Sequence, residues 1–117
     1  MDFFRHFTDV SRGVRRLGAA SVDLAQVALG LTESYYEFYL KPWDVCAGIL
    51  LVRESGGVVT TMDGRPYTVF DKSMIASNGA IHAEMMEHIQ PRVIKLHEEK
   101  GLDLKSKWFI PEGYKIK

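Results

Sequence analysis

The chemistry legible in this chain gathers around one carboxylate, Asp44, in the segment Lys41-Pro42-Trp43-Asp44 that opens an apolar helix. Pro42 suits a first helical position, where its missing N–H loses nothing. A helix start carries unpaired N–H groups and partial positive charge, which makes it a seat for phosphate. A carboxylate beside that seat could hold a hard cation such as Mg²⁺ against phosphate oxygens. The plainer role for an Asp in a first turn is to cap its own helix or complement the dipole, and residue type alone favours it.

The elements that must position Asp44 alternate between helix and strand. Val45, Cys46, Ala47, Ile49, Leu50 and Val52 make its helix apolar on almost every side, which predicts burial between layers. Gly56-Gly57 closes the helix, one glycine taking the left-handed position after the cap. Upstream, residues 34–40 read as an aromatic strand with Tyr35, Glu37 and Tyr39 on one face and Tyr36, Phe38 and Leu40 on the other. A short strand is expected over residues 14–17, and a helix over 22–29 capped by Ser21 and stopped by Gly30. Downstream, strands are expected at 58–62 and 74–77 around an Asp63-Gly64 turn, with a short extended stretch at 66–69. Asn78 would cap a helix over 79–90 that Pro91 breaks or restarts, and Gly101 would stop the continuation. Such alternation argues for a layered α/β fold, a mixed sheet covered by helices.

Composition narrows the partners. Fifteen basic and fifteen acidic residues cancel, so net charge gives no reason to expect nucleic acid or an anionic membrane. No run approaches the ~20 apolar residues that span a bilayer. The charges among the first nine residues do not suit a signal peptide. The single cysteine, Cys46, is expected buried and free, which favours a reducing compartment, by default the cytoplasm. His6, His82, His88 and His97 have no partner at metal spacing and read as surface residues, as does Asp23 on its helix. Residues 102–117 form a basic aromatic tail beyond a domain at 1–101; it could meet nucleic acid or acidic lipid, but packing on the body or disorder is favoured.

Trp43-Asp44-x-x-x-Gly48, then an apolar helix, Glu54-x-Gly56-Gly57 and Val58-Val59, resembles the C-terminal signature of the inositol monophosphatase family. The stretches 13–30, 34–40, 56–66 and 73–78 and the helix from Ile81 follow that family's order, so the resemblance covers about residues 7–90. It implies that Asp44 is a Mg²⁺ ligand and that Glu37, seven residues earlier, binds the polyol. It implies further that Gly18, Ala19 and Ala20 line the substrate pocket, with Ala19 in place of a frequent hydroxyl residue. Lys41 would touch substrate phosphate or simply be a wet strand end. No catalytic residue is carried over.

Two family motifs are absent from these 117 residues: a Gly-Glu pair and an Asp-Pro-(Ile/Leu)-Asp-Gly-Thr run, which the resemblance makes the source of most metal ligands. Asp63-Gly64 is a turn dipeptide and no substitute. The expectation is therefore the C-terminal half of a Mg²⁺-dependent phosphomonoesterase acting on inositol monophosphate or a related polyol or sugar phosphate, truncated and inactive without its N-terminal half. An exposed seam should then find that half or form a dimer. The alternative is a non-catalytic remnant that self-associates or binds a partner.

Overall fold

A computed structural model describes residues 2–11, 13, 14, 18–101 and 106–108. The order is α1 (Asp2–Val10), α2 (Ala20–Ala28), β1 (Ser34–Phe38), α3 (Pro42–Glu54), β2 (Val58–Thr60), β3 (Ser73–Ser77) and α4 (His82–Lys100). The strand read over residues 14–17 falls mostly outside the described residues, as does most of the tail beyond Gly101.

β3 is the centre of a sheet ordered β1-β3-β2, and both its neighbours run antiparallel to it. All five of its residues are buried. The two-residue period of a strand then sorts side chains between two cores. Met74 and Ala76, with Tyr35 and Val59 beside them, pack under α2 and α3 against Leu24, Val27, Val45, Ile49 and Val52. Ile75, with Tyr36 beside it, packs on the other face against Met85, Ile89 and Val93 of α4, with Phe7 of α1 alongside. Helices thus cover both faces, and the layered α/β arrangement read from the alternation holds.

Helix α3 buries only the stripe Val45, Gly48, Ile49 and Val52, which has helical spacing. Gly48 lets α2 approach closely, since a Cβ there would stand 2.6 Å from Leu24 Cδ1. The opposite side is apolar but open: Trp43 is 76 %, Leu50 59 % and Leu51 50 % exposed. Cys46 is exposed as well. The expectation of a helix enclosed on all sides, with a buried thiol, is thus corrected; among the described residues there is one layer against α3, and it covers one stripe. Gly56, at φ +89°, takes the left-handed position expected of it.

Two further expectations change. Ser21 does not cap α2; Ala19 stands at the cap position without a side-chain bond, and the helix starts at Ala20. Nor does Pro91 interrupt α4, which runs from His82 through to Lys100 and is stopped by Gly101 in the left-handed conformation. A proline inside a helix costs about 3 kcal/mol. Ile89 and Val93, fully buried on either side of it, each return about 2 kcal/mol by burial and hold the helix on the sheet. Just before the proline, Gln90 Nε2 donates to the Asp63 carbonyl at 2.8 Å, fastening the middle of α4 to the β2–β3 loop. Asn78 accepts from the Ala80 amide and shapes the turn before α4 rather than its first residue.

The alternation along the aromatic strand also fails at one point. Tyr39 has φ +60°, the left-handed region, which costs a non-glycine residue about 1–3 kcal/mol. Its amide donates to the Lys72 carbonyl at 2.7 Å. The reversal swings Leu40 away from Phe38 and into the core under α2 and α3. It also turns the chain from β1 into α3.

Candidate active site

The N-termini of α2 and α3 converge on one open cleft of about 480 Å³. Gly18, Ala19, Ala20 and Ser21 form one wall, at the start of α2. Trp43 and Asp44 form another, at the start of α3, and Glu37 and Leu40 close the side of β1. Small residues on the α2 wall leave its backbone accessible. Two helix starts pointing at one space superpose two partial positive charges, an arrangement suited to an oxyanion.

Asp44 sits in the first turn of α3, and its Oδ2 accepts the Lys41 amide at 2.9 Å while its own amide donates to the Lys41 carbonyl at 2.9 Å. It therefore does what the plainer reading assigned to it, capping its own helix, while remaining exposed along the cleft. Glu37 is half-buried, and the Tyr35 hydroxyl donates to its Oε2. That bond is possible because residues two apart share a strand face. Register places Glu37 beside Met74, the side of the sheet that α2 and α3 cover.

Sequence reasoning missed Asp23. Its helix position reads as a surface acid, but it is 9 % exposed and lines the cleft from the first turn of α2. The available signal was its place three residues past Ala20, on the helix end already assigned to the pocket. Lys41 is outside the lining; its ammonium lies over the Trp108 ring, 3.2 Å from the centroid. Asp63 stays in its turn, accepting from Arg65 Nε at 2.9 Å and the Thr61 hydroxyl at 2.6 Å. Burial pushes its carboxyl up, but those bonds and the guanidinium charge outweigh it and hold the group below the usual range.

The histidines also depart from the surface reading. His82 is buried, with Nδ1 2.8 Å from Ser77 Oγ and Nε2 2.9 Å from Thr60 Oγ1. Burial holds its imidazole below the ordinary value of 6.5. His6 and His88 stack face to face at 3.6 Å, joining α1 to α4. Among the described residues no group of three or more His, Cys, Asp or Glu side chains is arranged to hold a metal ion. No described helix is long and apolar enough to cross a membrane.

Residues 2–95 match the model of the inositol monophosphatase family. The chain is 56 % identical over 114 residues to the phosphatase IMPL1, chloroplastic, of Arabidopsis thaliana, an alignment covering 97 % of this chain and 30 % of that protein. Among solved structures it resembles an inositol monophosphatase from Anabaena (Nostoc), at 40 % identity and a TM-score of 0.72 over 76 % of this chain and 35 % of that one. It also resembles SaIMPase-II with inositol monophosphate bound, at 29 % identity and a TM-score of 0.73 over 85 % and 41 %. The chain spans about a third of the length of the curated relatives it matches.

Proposed function

The chain belongs to the inositol monophosphatase family, and from that premise we propose that its cleft is the C-terminal portion of a Mg²⁺-dependent phosphomonoesterase site for inositol monophosphate or a related small polyol or sugar phosphate. The observation that carries this reading is the convergence of two helix N-termini on a cleft whose rim holds Glu37 and Asp44. The helix starts would receive phosphate oxygens. Glu37, oriented by Tyr35, would accept hydrogen bonds from polyol hydroxyls. Gly18, Ala19 and Ala20 would admit the substrate close to the backbone. Lys41 would reach the phosphate only by leaving the Trp108 ring.

The residues present fit Mg²⁺ in kind, because Asp44 offers an exposed hard oxygen donor beside the phosphate seat. When bound, the cation would lower the pKa of an attacking water and offset charge on the leaving oxygen. In number they supply a minority of its ligands, so the remaining carboxylates would come from a segment carrying the Gly-Glu and Asp-Pro-x-Asp-Gly-Thr motifs. The described chain alone is therefore expected to be inactive or nearly so. The exposed apolar side of α3 supports a covering partner, either that N-terminal segment or a second copy. The same exposed side favours a second reading, a non-catalytic module that works by association. The proposed compartment is the cytoplasm, on the free thiol of Cys46 alone.

Phosphate release from inositol 1-phosphate with Mg²⁺ tests the proposal, using the 117-residue chain and its Asp44→Asn variant, each alone and with a family N-terminal segment that carries both motifs. Turnover that requires the segment and disappears with Asp44→Asn is the expected result. Turnover by the chain alone, lost in the variant, would overturn the expected inactivity. No turnover in any combination, with a chain that self-associates, would favour the association module.

A further inference from the structure

Residues 106–108 are tied to the body at two separate places. Lys72 Nζ donates to Ser106 Oγ at 2.8 Å, Lys107 Nζ donates to Asp71 Oδ1 at 2.5 Å, and the Trp108 amide donates to the Phe70 carbonyl at 2.8 Å. These three bonds anchor the segment along residues 70–72, the run that leads into β3. The Trp108 side chain then reaches across to the turn between β1 and α3, where its Nε1–H donates to the Leu40 carbonyl at 2.9 Å.

The indole meets that turn on more than one surface. The Lys41 ammonium stands 3.2 Å from its ring centroid and the Lys72 ammonium 4.5 Å away, both within cation–π range. The Tyr39 ring approaches edge-on at 6.5 Å. Trp108 therefore touches three consecutive residues, 39 to 41, of which the first holds an unfavourable left-handed backbone and the last supplies the amide that Asp44 accepts. Those residues join the strand of Glu37 to the helix of Asp44. The separation of the two carboxylates across the cleft depends on the conformation of this joint. The residues matched by the family model end at 95, so Trp108 lies outside them.

We propose that Trp108 is a positioning residue for the cleft: by holding the Leu40 carbonyl and the Lys41 ammonium on one indole, it fixes the left-handed Tyr39 turn and with it the placement of Asp44 relative to Glu37. The anchored segment acts as a strap on the joint and makes no contact with ligand itself. The same contact holds the Lys41 ammonium out of the cleft. The bearing of the strap on substrate rests on the phosphatase reading above, whereas its action on the two carboxylates does not.

The test compares the full 117-residue chain with Trp108→Ala and Trp108→Phe by NMR. In Trp108→Ala, amide exchange at Tyr39 and Lys41 is expected to rise by about tenfold or more, while the core amides of Val45 and Ile75 keep their protection. The side-chain carboxyl carbons of Glu37 and Asp44 are expected to shift, with that of Asp63 as an unmoved control. Trp108→Phe keeps a ring face, so it should retain the upfield shift of the Lys41 side-chain protons and restore part of the Lys41 protection. Unmoved Glu37 and Asp44 resonances would overturn the proposal. So would a uniform rise in exchange across the core, which would make Trp108 a stability element and nothing more. None of these readouts involves turnover, so failure of the phosphatase reading and failure of the strap are told apart.

Discussion

Asp71, in the loop between β2 and β3, is buried and accepts hydrogen bonds from the Thr68 amide at 2.8 Å, the Thr68 hydroxyl at 3.2 Å and Lys107 Nζ at 2.5 Å. Asp44, at the start of α3, is exposed and accepts the Lys41 amide through one oxygen. Both are carboxylates in turns, yet the loop consumes the acceptor capacity of one and the cleft leaves the other within reach of a ligand. Asp63 belongs with Asp71, held by Arg65 and Thr61. The comparison teaches that acid content does not locate the site here; what locates it is how much of each acid the fold has already used.

The largest expected effect follows from the saturated side. Asp71→Ala strips a buried acceptor from Thr68 and leaves the Lys107 ammonium without its carboxylate, so urea unfolding should show a loss of about 3 kcal/mol. An equal loss from Asp44→Ala would break the comparison.

Acid should also separate buried from exposed groups. The His82 imidazole is held below 6.5 by burial, so the unfolded chain takes up its proton first as pH falls. The unfolded state then binds more protons, and stability declines from pH 6.5 downward until the buried ring itself is protonated. Above 6.5 this contribution is flat. Protonation would force both ring nitrogens to donate, so the Ser77 and Thr60 hydroxyls would both have to accept from the ring and turn their own protons elsewhere. His88, held down first by burial and then by Arg92 and His6, adds to the slope in the same sense. Thermal melts between pH 5 and 8 should therefore flatten in His82→Gln, and an unchanged slope would remove His82 from the account.

Asp44→Asn should cost the fold about 0.5–1 kcal/mol, the worth of a charge at a helix start. Metal-dependent turnover in the complemented protein should nevertheless disappear, which sharpens the contrast with Asp71. The smallest effect is expected at Tyr67, whose hydroxyl is buried without a hydrogen-bond partner among the described residues. Tyr67→Phe removes an unpaired polar atom, so the urea midpoint should stay or rise by the equivalent of up to about 1 kcal/mol.

Local chemistry made much of this readable. Pro42, Gly56 and Gly101 mark real boundaries because a missing N–H and a left-handed φ act within a few residues. Glu37, Asp44 and the stretch Gly18 to Ala20 stand out in the sequence and line one cleft. The features that escaped depend on distant parts of the chain. Asp23 and His82 are polar residues whose burial no periodicity reports, and His82 meets Thr60 across 22 positions. The exposed side of α3 reflects which layers are present, and an apolar helix reads the same with one neighbour or two. Leu40 changed face because Tyr39 adopts a backbone state that its residue type does not announce. Trp108 meets Leu40 across 68 positions, a contact without any sequence signal.

The open side of α3 also has a practical consequence. Cys46 is the single thiol of the sequence, and it stands exposed on the same helix as Trp43, Leu50 and Leu51. A maleimide would therefore label one known point, half a turn beyond Asp44, without any prior mutagenesis. Its labelling rate becomes a footprint: whatever covers that helix slows the reaction, and whatever binds elsewhere leaves it unchanged. The chain thus carries its own reporter at the place where the identity of its covering surface matters most.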